Sequence, residues 1–424
     1  MTRRFSTKSS LSSSSISLIV GKTTIPWGSP FRGWGGTIPR GDGSLYLERL
    51  GRRSGTIGRQ ANAPEFGQNR KAVESIGIRP RHGLSDEGIA TMPNIPVDQY
   101  NYLLELLSRV GVDSNFLRPM ASAASLPPGA AEYLVPSNPR LMRLRQQYGD
   151  YTATKFSHSQ WDSARLDHKL PLQSFRGDCP YVWQRWDLNS PAALLLTYYY
   201  ELNHPRMARI LRGLKEDELF GCVTLTDNNV ILSRDLLDSV IEIDAIATKF
   251  NLAVSHMAIL DIGSGYGRLA HRLAAAFPGR IRVLCTDAIP ESTFIAEYYL
   301  GFRAVLDDVR VVPVDMIQDA LTSSRPDLAL SVHCFSECTS DAIKWWLCLL
   351  RDCDVRNLLI IPNPDRHQGT ALLSTEGDRQ RHDMLPVLEA FGYHRVDIRP
   401  KYSNSNLQRF GVSPTNFHWF ELTR

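Results

Sequence analysis

From about residue 256 the chain alternates short apolar runs with amphipathic stretches. The runs at 257–262, 280–286, 309–314, 328–333 and 357–362 are rich in Val, Ile and Leu. Runs of this length and continuity predict strands buried on both faces. Between them, 267–277, 290–302 and 339–352 carry apolar residues at helical spacing. In the first of these, Leu269, Ala270, Leu273, Ala274 and Phe277 share one face, and Pro278-Gly279 ends the helix. Such alternation predicts a parallel sheet with crossover helices on both faces. After a helix near 383–391, the runs "HRVDIRP" and "NFHWFELTR" predict a terminal antiparallel pair of strands.

Upstream the pattern is helical. "PRLMRLRQQYG", "SPAALLLTYYYELN", "HPRMARILRGL" and "SRDLLDSVIEIDAIATKF" each carry the 3.6-residue period. Leu103, Leu104, Leu106 and Leu107 add an earlier stripe that Gly111 stops, and "ASAASLPPGAAEYLVPSNP" predicts a linker after it. Residues 84–250 are therefore expected to form a mostly helical N-terminal or cap domain ahead of a domain spanning 251–424. Residues 1–83, rich in Ser, Gly and Arg, show no sustained period and predict a disordered tail. The same composition suits a targeting segment, or residues ahead of a later start at Met92.

Charge sharpens this division. Residues 1–83 hold 14 Lys+Arg against 4 Asp+Glu, so the formal net charge of +4 leaves the remainder net acidic by 6. An acidic body gives no reason to expect a nucleic-acid partner. No apolar stretch reaches the length of a membrane span. The seven cysteines form no CxxC pair and no His/Cys cluster of zinc spacing, which predicts reduced thiols, no bound metal and a cytoplasmic location.

The chemistry concentrates at the carboxyl ends of the predicted strands. In "LDIGSGYGRLAHRL" an acid, Asp261, precedes Gly263, Gly265 and Gly267 at a strand-to-helix turn. Glycines there let the backbone turn sharply and approach a ligand, and the following helix N-terminus favours a polar ligand. A dinucleotide fingerprint would place a third glycine at 268, where this chain has Arg268. GxGxG with a preceding acid resembles the first motif of S-adenosylmethionine-dependent methyltransferases. Asp287, ending the second strand, can accept hydrogens from both hydroxyls of a ribose; a helix-capping role is the alternative. Asp315 ends the third strand, where adenine contacts are expected, though a solvated turn acid fits it nearly as well.

The fourth strand runs into "HCFSECTSD", which brings His333, Ser336 and Glu337 to the crevice. A hydroxyl becomes a competent nucleophile when a base takes its proton, and His or a carboxylate can do so. His333 is the first choice for that base and Glu337 the second, with Ser336 assigned to substrate binding. A backbone-bonded core histidine and a loop-orienting role for Ser336 and Glu337 remain the alternatives. "YVWQRWD" and "TYYYELN" fit packing better than sugar stacking, and Arg176-Gly177-Asp178 is a chance tripeptide.

These segments together carry a family resemblance. From about 138 to 424, "NPRLMRLRQQY", "SRDLLDSVIEI", "LDIGSGYGRLAHR", "CTDAIPESTFIAEYYL" and the "FSE" box resemble bacterial sugar O-methyltransferases. The resemblance departs from the family pattern at Ser331 and Cys334. It implies an α/β class I methyltransferase fold, a Rossmann-like doubly wound sheet with a terminal antiparallel hairpin, preceded by the helical domain. It further implies S-adenosylmethionine as cofactor and a sugar or glycoside acceptor, in polysaccharide or glycosylated-metabolite biosynthesis. Asp261 and the three glycines would hold the methionine end, and Asp287 the ribose. Two other functions stay open: methyl transfer to a non-sugar small molecule or protein, and a non-catalytic cofactor-binding scaffold.

Overall fold

The computed structural model describes residues 125–155, 171–177, 189–227, 229–364 and 369–423. The tail at 1–83, the leucine stripe at 103–107 and "YVWQRWD" lie outside these residues.

Helices lead. α1 (Ala130–Tyr133) and α2 (Pro139–Lys155) are followed by α3 (Asn189–Leu202) and α4 (Pro205–Gly213). A short hairpin, β1 (Thr224–Asp227) and β2 (Val230–Ser233), then interrupts the region expected to be helical, and α1 falls inside the expected linker. The hairpin joins two short β-branched runs, with Asn229 in the left-handed region at φ 64° just before β2. α5 (Arg234–Phe250) closes the region; the Ser233 hydroxyl caps it by accepting from the Leu236 N–H at 3.0 Å.

The alternating half follows the predicted periods closely. β3 (Met257–Ile262), α6 (Arg268–Ala276), β4 (Ile281–Thr286) and α7 (Pro290–Phe302) come first. β5 is shorter than expected, Val309–Val311, because Pro313 has no N–H to offer the ladder and a 3-10 turn begins at Val314. α8 (Ile317–Ser324), β6 (Leu328–Val332), the single turn α9 (Cys334–Glu337), α10 (Ser340–Asp352) and β7 (Asn357–Ile361) continue the alternation. A second hairpin, β8 (Leu373–Thr375) and β9 (Arg381–Asp383), precedes α11 (Leu385–Ala390), β10 (Tyr393–Pro400), α12 (Ser405–Phe410) and β11 (Asn416–Leu422).

Seven strands form the central sheet in the order β10-β11-β7-β6-β3-β4-β5. β7, β6, β3, β4 and β5 are parallel, and β11 pairs antiparallel with both β7 and β10. This is the class I methyltransferase arrangement, with the terminal hairpin where the sequence placed it. Chain order reverses at β3, which has β4 on one side and β6 on the other, so the ligand crevice of an open sheet belongs between the carboxyl ends of β3 and β6. One contiguous core runs from Leu141 and Leu144 of α2 through Ile259 and Leu330 of the central strands to Trp419 and Phe420 of β11. The described helices before residue 250 therefore share their apolar interior with the sheet. Among the described residues no helix is long and apolar enough to cross a membrane.

Candidate functional site

A cleft opens at this reversal point. It is lined by Asp261 and Ile262 at the end of β3, residues 263–266 of the glycine loop, Arg268 and Leu269 of α6, and residues 287–289 after β4. Val332, His333, Cys334, Glu337 and Trp346 form the facing wall.

The glycine loop has specific reasons to be glycine. Gly263, Gly265 and Gly267 all take positive φ, at 69°, 56° and 84°. A Cβ on Gly263 would sit 2.5 Å from the Cβ of Cys334 on the facing wall, and one on Gly267 would sit 2.8 Å from Leu300 Cδ1 of α7. The loop is pinned to β4: the Gly263 and Ser264 N–H groups both donate to the Thr286 carbonyl, at 2.9 and 3.1 Å. Asp287, nearly buried, accepts from the Gly265 N–H at 3.0 Å and the Ile289 N–H at 2.9 Å. The two predicted cofactor elements, loop and second-strand acid, thus touch directly.

Asp261 is buried at the base of the cleft, and burial pushes its carboxyl up to about 7; Arg268 opposes the shift, while the Glu242 and Asp287 charges reinforce it. Arg268, standing where a dinucleotide loop has glycine, donates to Ser239 Oγ and Glu242 of α5, both at 2.9 Å. Its neighbours belong to an acidic stripe, Asp235, Asp238 and Glu242, that α5 turns inward at helical spacing. The almost fully buried Lys401, just beyond β10, reaches Asp238 at 2.9 Å and Glu242 at 3.0 Å.

On the facing wall, His333 ends β6 in the left-handed region, at φ 65°, with its N–H donating to the Ile361 carbonyl at 2.7 Å. Its Nδ1 is buried without a hydrogen-bond partner. Burial first, then the cations Lys401 and Arg234, push this imidazole down to about 3, with Asp238 opposing. Glu337 lines the cleft and accepts from Asn363 Nδ2 at 3.2 Å. Ser336 is buried and does not line the cleft. Its hydroxyl accepts from the Asn363 N–H at 3.1 Å, and its carbonyl accepts from the Thr375 hydroxyl at 2.6 Å. These two bonds brace the loop after β6. Asp315 also stands apart from the cleft lining, its two oxygens accepting from Gln147 Nε2 of α2 at 2.9 and 2.8 Å.

The fold therefore gathers Asp261, the glycine loop, Asp287, His333 and Glu337, and leaves Ser336 and Asp315 out. Sequence reasoning missed Arg268 as a cleft residue, Trp346, and the inward acids of α5, although their spacing at 235, 238 and 242 was readable as one helix face. It also missed Cys334 and Cys338, whose sulfurs lie 3.8 Å apart. The Arg-Gly-Asp tripeptide begins with a wholly buried Arg176. Among the described residues no group of three or more His, Cys, Asp or Glu side chains is placed to hold a metal ion.

No protein-family model matches the chain, and no curated protein does. Solved structures do. A methyltransferase from Aquifex aeolicus, described as S-adenosylmethionine-dependent, is 15% identical, covering 43% of this chain and 90% of its own, with a TM-score of 0.32. The magnesium protoporphyrin IX methyltransferase of Synechocystis, solved with bound S-adenosylmethionine, is 12% identical over 54% of this chain and 96% of its own, with a TM-score of 0.32. The TrmK of M. capricolum, solved with S-adenosylhomocysteine, is 11% identical over 43% of this chain and 68% of its own, with a TM-score of 0.28.

Proposed function

We propose that the protein is an S-adenosylmethionine-dependent O-methyltransferase acting on a sugar hydroxyl. One observation carries the cofactor reading: a GxGxG loop at the sheet's reversal point, closed against Cys334 so tightly that only glycine fits at 263, with Asp287 hydrogen-bonded to its middle glycine. That cradle suits a nucleoside with a short polar tail. Arg268 fills the place where a dinucleotide loop needs glycine, and its guanidinium is committed to α5.

When bound, the cofactor supplies an electrophilic methyl group on a sulfonium centre. Asp261 and the loop backbone hold its methionine end, and Asp287 takes the ribose hydroxyls. Glu337 is the stronger choice for the base that receives the acceptor's proton, because it combines cleft exposure with a carboxylate oriented by Asn363. His333, neutral down to about pH 3, is a weak base and serves as a hydrogen-bonding wall residue. Positioning the hydroxyl in line with the methyl group supplies much of the remaining rate. The sugar acceptor rests on the resemblance of the "SRDLLDSVIEI" and "FSE" segments.

Mass spectrometry of the denatured protein for co-purified cofactor, with calorimetry using S-adenosylhomocysteine, tests the first claim. No bound nucleoside and no heat of binding would sink it. A labelled-methyl assay against free sugars, glycosides, flat aromatics and proteins tests the second. Transfer to an aromatic or protein acceptor alone replaces the sugar reading. Binding without transfer to any of them favours the scaffold.

A further inference from the structure

Tyr266, between Gly265 and Gly267 of the loop, is almost completely buried, and its ring and hydroxyl are held by residues behind the loop. Its ring packs edge-on against Tyr299, with centroids 5.1 Å apart, and lies 5.2 Å from the ring of Phe175. Its hydroxyl donates to Asp235, the second residue of α5. Asp235 in turn lies 3.6 Å from the Nε of Arg176, whose other nitrogens bond Glu216 at 2.6 Å and Asp217 at 2.9 Å. Glu216 also accepts from Arg272 of α6 at 2.8 Å and from the Ser233 hydroxyl that caps α5.

A wholly buried arginine from residues 171–177 therefore joins three things: the start of α5, the helix behind the glycine loop, and the loop's own tyrosine. Phe175 and Arg176 approach Tyr266 from adjacent positions, one through its ring and the other through Asp235. A buried cation that only needed neutralising would be served by Glu216 and Asp217; the third acid, Asp235, extends the network to the loop.

We propose that Arg176 is a positioning residue for the cofactor loop, acting through Asp235 and Tyr266 to hold residues 263–267 in their ligand-ready turn. This rests on the cofactor reading above. Its consequence is a split in the kinetics: loosening the chain weakens cofactor binding while leaving the rate at saturating cofactor almost untouched, because none of the three residues belongs to the wall after β6.

The test is a double-mutant cycle read in the dissociation constant for S-adenosylhomocysteine by calorimetry, using full-length Arg176→Lys, Tyr266→Phe and the double variant. Each single change is expected to weaken binding at least about tenfold: Tyr266→Phe removes a hydrogen bond to a charged group, and Arg176→Lys loosens the ion pair with Asp235. Arg176→Lys should have almost no further effect in the Tyr266→Phe background, since both act along one path. Hydrogen exchange of the ligand-free protein should quicken at residues 263–268 in both single variants.

Additive losses in the cycle overturn the proposal, and so do wild-type affinities in the folded variants. Loss of cooperative unfolding in Arg176→Lys overturns it too, since Arg176 would then be a folding residue. If the unaltered protein binds no S-adenosylhomocysteine, the cofactor reading fails, and exchange at 263–268 still decides whether Arg176 sets the loop.

Discussion

The glycine-loop wall and the wall after β6 face each other across one cleft, yet their polar groups are held by different means. On the cofactor side, backbone does most of the work. Strand ends supply carbonyls and N–H groups, positive-φ glycines aim them, and Asp287 joins loop to strand through partners 22 and 2 residues away. On the wall after β6, distant segments hold the chain: the Ser336 hydroxyl bonds Asn363, 27 residues on, and its carbonyl bonds Thr375, 39 residues on. A backbone-built wall tolerates few residue types and tells little about its ligand's outer parts. A wall built from distant side chains can change with the segments behind it, which under the proposed function suits the side that chooses the acceptor.

Substitutions on the two walls should separate cleanly. Glu337→Gln is expected to lower kcat by about a hundredfold to ten-thousandfold, the usual range for losing a general base, with cofactor affinity unchanged in calorimetry. An equal loss of both would place Glu337 on the cofactor side and break the comparison. Gly263→Ala should weaken cofactor binding by more than about a hundredfold, because the new methyl meets Cys334 in a backbone region that L residues resist. Asp287→Asn should cost about tenfold to a hundredfold in cofactor affinity, with kcat at saturation preserved.

The pH dependence is a smaller effect and comes from the cofactor wall alone. With its carboxyl raised to about 7, Asp261 is mostly protonated at pH 6 and mostly ionised at pH 8. A cationic ligand favours the carboxylate, so affinity should rise about tenfold between those values, then level off. Titrations across pH in the unaltered protein and in Asp261→Asn check this; an equal slope in both would remove Asp261 from the contact. His333→Asn should have the smallest effect, less than about tenfold in kcat, since asparagine tolerates the left-handed backbone and the imidazole is neutral across the working range. A larger loss, with an inflection in the rate profile that disappears in the variant, would restore His333 as the base.

Much of the fold was legible because its signals are local. β3 was predicted at its observed bounds, 257–262, and α7 at 290–302, since continuous apolar runs and a Pro at the first helical position need no distant partner to be read. The β1–β2 hairpin was lost inside a helical stretch because each of its strands is only four residues long. In the cleft, the places of Asp261, the glycines and Asp287 were legible for the same reason as the strands: they follow from position at a strand end. The partners of Ser336 and Asp315 were not legible, because Asn363 and Gln147, which bond them, are far away in sequence.

Residue order alone determined the parallel alternation, the turn at Gly263–Gly267 and the acid at the end of each of the first two strands, because periodicity and turn chemistry act within a few residues. Tertiary structure alone decided that Gly263 closes against Cys334, that Arg176 lies beside the Asp235 that bonds the loop's tyrosine, and that the His333 Nδ1 is buried without a partner. Contact, charge and exclusion of water depend on which distant segments the chain brings together.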